Sequence, residues 1–435
     1  MARATPRSYE QPLAALFTIS ALAYLTIYAL EAPIRFGLLW AGKDQFILAR
    51  DFLIFGPLGA LLVAQGLRLR LHPAFLVAGI LIAFHGLVFM GTIRSVIGLL
   101  YGVKIVINIL FGFFAASALL YPSNRALKYI SLIWGVLIFG VFLDKFGVAF
   151  PWAGMKTIVG DINVDVSKDW MISDPFARRV AGFARSSIAV ACVVPPLAII
   201  MINRMRHTFL RLLIALLSLA AVFFTTQKGA IIAFAPLMAI MFLPSNMRLK
   251  ALRIACISFI ILAIAAPLLT LDVHLSHGSG VFSTESLYLR IAYTWPQAIA
   301  WIERHDLMLF GVGLGGIGGP QRFYAPDSFN PADNVMILLY AYFGIFAALY
   351  VAFAARLATR PIIGDRAHVV PAIAILAFCF GYGTVLSMIE DQSAALFIGA
   401  ALGVLWRHTG KVPVTYPTWR TSPALGPRRA FTPAG

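Results

Sequence analysis

VIGLLYGVKIVINILFGFFAASALL, Val96 to Leu120, decides what kind of protein this is. Coiled as an α-helix, the segment is apolar on every face, and it exceeds the ~20 residues that cross about 30 Å of hydrocarbon. Only Lys104 and Asn108 interrupt it. Similar runs recur along the chain, and the predicted spans are 13–30, 46–64, 74–90, 96–120, 129–146, 184–203, 210–226, 230–243, 251–271, 335–356, 369–388 and 393–406. The 435 residues are 60% hydrophobic and only 12% charged, which excludes a soluble globular chain. The expected fold is all-α: a polytopic membrane protein of about twelve transmembrane helices, one integral domain over residues 1–406. A basic tail, 407–435, rich in Pro, Thr and Arg, should be disordered or lie on the membrane surface. The first run follows Arg3 and Arg7 but is longer than the ~7–15 apolar residues of a signal-peptide core, so it reads as a span.

The formal net charge of +17 raises the question of nucleic acid, and the placement of the charge answers it. No basic helix with interleaved aromatics occurs. The cations instead gather in short inter-span loops: Arg68 and Arg70, Arg125 and Lys128, Arg204 and Arg206, Arg248 and Lys250, Arg360 and Arg366. By the positive-inside rule these loops and both termini are cytoplasmic. Acidic residues such as Glu31, Asp165, Asp327, Glu390 and Asp391 fall on the opposite face. That face also carries the two long loops, 147–183 and 272–333. Charged, glycine-rich backbone of that length does not lie in hydrocarbon, and loops so long are usually functional. The three cysteines, Cys192, Cys256 and Cys379, sit in apolar runs and read as buried free thiols.

Cations in the outer loops run against the topological rule, so each needs a reason. Lys228 sits in Thr225-Thr226-Gln227-Lys228-Gly229, a tight turn between two spans. There it either holds an anionic headgroup such as a pyrophosphate or simply snorkels to the interface. Arg290 lies on an expected amphipathic surface helix with Leu287, Ile291 and Trp295 on the opposite face, and Pro296 should break or kink it. It is either functional or a solvated arginine. Gly311-Val312-Gly313-Leu314-Gly315-Gly316 matches a dinucleotide fingerprint in letters only, because no βαβ pattern surrounds it. Its glycines either let backbone amides approach an anion or sugar, or form a flexible loop. Asp333-Asn334 opens a span, and Asp333 reads as an N-cap, a general base, or both. Asp272-x-His274-x-x-His277 is a weak metal pattern and no metal site is expected. Arg50-Asp51 and Lys104 with Asn108 are polar groups within spans, which pair or line a cavity.

In order, these motifs resemble the superfamily of O-antigen ligases and Wzy-type polysaccharide polymerases. The resemblance covers roughly the second half of the chain. It is carried by Arg179-x-x-Gly182-Phe183, by Thr226-Gln227-Lys228-Gly229, by Arg290 with Trp295 and Leu309–Gly315, and by Asp333-Asn334 followed by Tyr342-Phe343-Gly344-Ile345. Ligases of this kind carry a histidine before the asparagine where this chain has Asp333, so the chain looks more like a polymerase, of the xanthan exopolysaccharide type. The resemblance implies an inner-membrane glycosyltransferase that works at the periplasmic face without metal or other cofactor. Its donor would be a glycan on polyprenyl pyrophosphate and its acceptor the next lipid-linked repeat unit. Asp333 and Arg290 would be catalytic. Arg179, Arg185, Lys228, Arg322, Gly313, Gly315 and Asn334 would bind pyrophosphate or glycan. Membrane lipids, a flippase and chain-length or export proteins are the implied partners. Alternatives are ligation of the glycan to a lipid A-core acceptor and, from another class, a transporter or flippase; the chain shows none of the internal repeats such proteins often carry.

Overall fold

The structure, a computed structural model, describes residues 10–159, 162–167, 179–269, 284–305, 309–362 and 366–409. The Asp272, His274, His277 trio, Arg178 and the tail beyond residue 409 lie outside the described residues.

The first half consists of α1 (Glu10–Ala29), α2 (Glu31–Trp40), α3 (Phe52–Gly66), α4 (Pro73–Thr92), α5 (Val96–Leu120) and α6 (Asn124–Lys145). After the first long loop come α7 (Ser187–Arg204), α8 (Thr208–Phe224), α9 (Lys228–Met241) and α10 (Ser245–Ala265). The second loop contributes α11 (Glu285–Leu289) and α12 (Trp295–Arg304), and the chain closes with α13 (Val335–Phe343), α14 (Phe346–Thr359), α15 (Arg366–Gly383) and α16 (Gln392–Thr409). Among the described residues, seven helical stretches are long and apolar enough to cross a membrane. Those are the dimensions of a helical membrane protein. All three cysteines are buried and free.

Helix starts follow local chemistry. Ser95, Ser123 and Ser186 cap α5, α6 and α7 by accepting from the amides of Gly98, Ala126 and Ala189. At the ends of α9 and α14, basic side chains take up helix-end carbonyls. Arg211 donates to Met241 O at 2.7 Å and Arg253 Nε to Ala358 O at 3.1 Å. Helix α7 is buried along nearly its whole length and sits at the centre of the main core with α15 and α16. Glycines draw α5 and α16 into close contact: a Cβ on Gly399 would lie 1.9 Å from Ile109 O, and one on Gly112 would lie 2.0 Å from Leu396 O.

The all-α expectation holds, with one short addition in the first long loop: β1 (Lys156–Val159) and β2 (Ile162–Asp165) pair antiparallel, with Lys156 opposite Asp165. The segments 156–159 and 162–165 are rich in β-branched residues, which favour extended pairing. One expectation needs correction. The expected single span 335–356 is broken between α13 and α14. Gly344 there has φ +55°, and a Cβ on it would meet Leu309 O at 2.2 Å. The freed backbone groups are taken by the segment at 309–313: Ile345 N donates to Leu309 O at 3.0 Å, and Val312 N donates to Ala341 O at 2.6 Å. The insert thus folds back onto its own helix. With Trp295, Val312, Leu314, Ile317, Val335 and Tyr342 it forms a second core.

Candidate active site

Arg290 opens a π-helical turn, Arg290–Thr294, between α11 and α12. Its carbonyl accepts from Trp295 N, five residues on. The wider turn lets Pro296, which has no N–H to give, pass without ending the helix. Of the two expected effects of Pro296, the break does not occur. The π-helical turn also points Arg290 inward, where its Nη1 donates to Ser286 O at 2.9 Å and its Nε lies 3.1 Å from Asp333 Oδ2. Arg290 is therefore not a solvated surface arginine.

Asp333 is placed by a strained connection. Ala332 and Asp333 have φ of +59° and +44°, and Asp333 N donates to Pro331 O at 2.7 Å, closing a γ-turn about Ala332. Two successive non-glycine residues in this region cost roughly 1–3 kcal/mol each, so surrounding contacts must hold them. They do. Trp295 Nε1 donates to Asp333 O at 3.3 Å, Ser387 Oγ donates to Pro331 O at 2.7 Å, and Asn330 Oδ1 accepts from Ala332 N at 2.8 Å. Burial raises the Asp333 carboxyl above its ordinary pKa, while Arg290 opposes the rise by charge and hydrogen bonding. A carboxylate made more basic by its surroundings is better suited to take a proton.

Arg179 and Lys228 extend the charge outward from this pair in succession, Arg179 beside Arg290 and Lys228 beside Arg179. Burial lowers Arg179, and the charge of Arg290 lowers it further. Lys228 in turn lies within the field of Arg179. The segment carrying Arg179 is pinned by Asp144 on α6, whose Oδ2 accepts from Ala181 N and Gly182 N, each at 2.9 Å. Gly182, φ +60°, lies so close to α6 that a Cβ would meet Gly140 C at 2.5 Å. Lys228 follows Thr226, another left-handed residue at φ +57°. Beneath the group, Tyr382 donates to Gln227 Oε1 at 3.0 Å, and Gln227 Nε2 donates to Ser187 Oγ at 3.1 Å. Tyr382 is itself within reach of Arg290 and Asp333. By formal charge the rim holds three cations and one carboxylate.

The other expected site residues stand elsewhere. Asn334 is fully buried and its amide is saturated: Oδ1 caps α13 through Met336 N and Ile337 N, and Nδ2 donates to Ala263 O and Thr384 O at 3.1 and 3.0 Å. It is a helix cap and clamp, with nothing left for a ligand. Gly313 and Gly315 are also buried, with φ of +91° and +92°. A Cβ on Gly313 would lie 2.4 Å from Phe89 N, and one on Gly315 would lie 2.3 Å from Gly98 O. These glycines pack the insert against α4 and α5 and do not line an open cradle. Gly319 N does hold a carboxyl group, but it is the chain's own Glu390, whose Oε1 accepts at 2.7 Å. Arg322 stacks on Phe329, 4.2 Å from the ring centre, and acts on Glu390 and not on the rim. Arg185 belongs to a separate charge cluster with Glu31 and Arg35.

Sequence reading passed over Asp144, Tyr382 and Glu390 as site residues. A lone acid at the end of the apolar run 129–146 was the available signal for Asp144. Glu390 registered only as outer-face acidity, yet burial pushes its carboxyl up to about 8 against the opposing pulls of Gly319 N, Arg322 and Tyr342. Compared with known proteins, the chain matches no family model, no curated protein and no solved structure.

Proposed function

We propose that this chain is a glycosyltransferase of the bacterial inner membrane, polymerising oligosaccharide repeat units carried on polyprenyl pyrophosphate. On this reading about twelve spans carry both termini in the cytoplasm, and the rim around Arg290 faces the periplasm. The observation that carries the proposal is the half-buried Arg290–Asp333 contact at 3.1 Å, with Arg179 within the field of Arg290 and Lys228 within that of Arg179.

The chemistry asks for that combination. The acceptor hydroxyl oxygen attacks the anomeric carbon of the donor glycan, and the bond from that carbon to the diphosphate oxygen breaks. The hydroxyl proton passes to the Asp333 carboxylate. The diphosphate leaves with the bonding electrons, and Arg179, Lys228 and Arg290 stabilise its growing charge, each charge-assisted hydrogen bond contributing ~1.5–3 kcal/mol. The glycosyl diphosphate is already an activated donor when it arrives, so no nucleotide is required outside the cell. The Arg290–Asp333 contact holds the base in place until substrate enters and draws the guanidinium toward phosphate.

The test is elongation by purified protein in lipid nanodiscs, supplied only with a lipid-linked oligosaccharide, without nucleotide or ion gradient. A ladder of longer lipid-linked glycans is expected. Absence of any lengthening by protein that is folded and binds the lipid sinks the proposal.

A further inference from the structure

A second cluster of buried charge lies away from the rim, between α2, α3, α5 and the segment before α7. Glu31 is shared by two arginines, with Arg35 Nε at 2.7 Å from one carboxylate oxygen and Arg50 Nη1 at 2.7 Å from the other. Lys104 Nζ lies 2.6 Å from Asp51 Oδ2. Arg185 completes the group from the side, close enough to act on both Glu31 and Arg35. Its only hydrogen bond among the described residues runs from Nε to the Asp165 carbonyl at 3.1 Å, so its outer nitrogens remain available there. Among the described residues four cations therefore meet two carboxylates, an excess of two positive charges. The next acid, Asp391, is already held by Tyr28, by Ser393 N and by Ala394 N.

Ion pairs that only brace a fold tend toward neutrality, because an uncompensated buried charge is costly. An excess is stable when an anion completes it. One further group has unused donor capacity: the Asn108 amide, one helical turn from Lys104, is buried without a hydrogen-bond partner. An aromatic pair stands beside the cluster. Tyr101 stacks on Phe323 with ring centres 4.6 Å apart, is 42% exposed, and lies within the field of Arg185, Asp51, Arg35 and Arg50. Planar guanidinium groups beside such an aromatic pair suit a phosphate attached to an apolar or sugar-bearing body.

We propose that Arg35, Arg50, Lys104 and Arg185 form a second phosphate-binding site, distinct from the rim, that holds the phosphate headgroup of a second lipid-linked molecule. The assignment to a second substrate rests on the polymerase reading above, since chain elongation needs two diphosphate lipids at once. The binding site itself does not depend on that reading.

The experiment uses the full chain in phosphatidylcholine nanodiscs, and reads modification of Arg185 by phenylglyoxal through peptide mass spectrometry. Inorganic pyrophosphate is added in one arm, and phosphatidic acid in the bilayer replaces it in another. Protection of Arg185 by at least about tenfold in either arm supports a phosphate site. Protection by the lipid at membrane concentrations marks a headgroup, and protection by pyrophosphate alone marks a free phosphate and overturns the lipid assignment. Equal modification in all arms overturns the site. Arg185→Gln should weaken phosphatidic acid retention roughly tenfold while Arg185→Lys retains most of it, and unchanged retention by a folded Gln variant also overturns the site. Protection of Arg185 in protein that cannot elongate glycan leaves the site standing and removes the polymerase reading instead.

Discussion

The glycine loop at 311–319 and the rim formed by Arg179, Lys228, Arg290 and Asp333 both stand out in the sequence, and they end in opposite roles. The loop looks like a ligand cradle, yet its amides serve the protein: Gly313 N goes to Ala341 O at 3.2 Å, Leu314 N to His85 O at 3.2 Å and Gly319 N to Glu390 at 2.7 Å. The rim looks scattered, because its members are separated by dozens of residues, yet its charges act on one another. The difference lies in what satisfies each group. Backbone amides in a buried loop must find partners at once, and nearby carbonyls are the commonest. Charged side chains on long stems can be held near one another at an interface, leaving a ligand to complete them.

The sharpest way to break this contrast is Asp333→Asn. It keeps the size and the hydrogen-bonding edge of the side chain but removes the proton-accepting charge. Polymer should fall by ~10²–10⁴-fold with lipid-linked repeat units accumulating, read on a glycan gel and by lipid extraction. Arg290→Ala should match it. A normal ladder from both variants would place the chemistry elsewhere.

Gly313→Ala tests the other half. The new Cβ would meet Phe89 N at 2.4 Å and His85 O at 2.6 Å in a backbone at φ +91°. Backbone atoms on two sides cannot move aside, so the folded state should lose about 2–4 kcal/mol, seen as a drop in thermal stability and in membrane yield. If the variant folded normally and lost only substrate affinity, the loop would be a cradle after all.

Much of the fold was legible because the hydrophobic signal is local. Each predicted run coincides with a helix or a helix pair, and α5 begins and ends at Val96 and Leu120 as its apolar run does. The break at Gly344-Ile345 was not legible, since it depends on a segment some thirty residues earlier entering the helix to accept from Ile345 N. Nor was the pairing of Lys156–Val159 with Ile162–Asp165, whose strands are too short to stand out beside so many spans. The candidate site divides similarly. Arg290 and Asp333 could be singled out by charge in an outer loop. Asn334 could not be separated from them, because only the partners at Ala263 and Thr384 reveal that its amide is occupied. Glu390 was invisible as a special acid, since its environment comes from Gly319, Arg322 and Tyr342.

Lys228→Gln sharpens the rim from within. Lys228 stands one step farther from the Arg290–Asp333 contact, acting through Arg179, so its loss should cost about tenfold in elongation and leave Asp333-dependent proton transfer intact. The expected split is a lowered kcat with a smaller change in the apparent KM for the lipid donor. An effect as large as that of Asp333→Asn would mean that Lys228 touches the reacting bond.

The smallest effect is expected from Glu390, where the loop and the rim adjoin. Burial holds its carboxyl up to about 8 in the folded protein, against an ordinary glutamate near ~4.3 in the unfolded chain. Between those values the folded state binds the proton and the unfolded state does not, so raising the pH draws the equilibrium toward unfolding. The stabilisation is complete below the unfolded value and is lost as pH climbs through about 8. Apparent melting temperature in detergent should therefore decline by a few degrees from about pH 5 to 9, and Glu390→Gln, neutral throughout, should flatten that slope. Gly318, at φ +80° with no room for a Cβ beside Glu390 Oε1, shows how closely the loop is built around this acid. An unchanged slope in the Gln variant would mean the carboxyl is already ionised there, compensated by Arg322, and would make the glycine loop an anion site whose occupant is simply part of the chain.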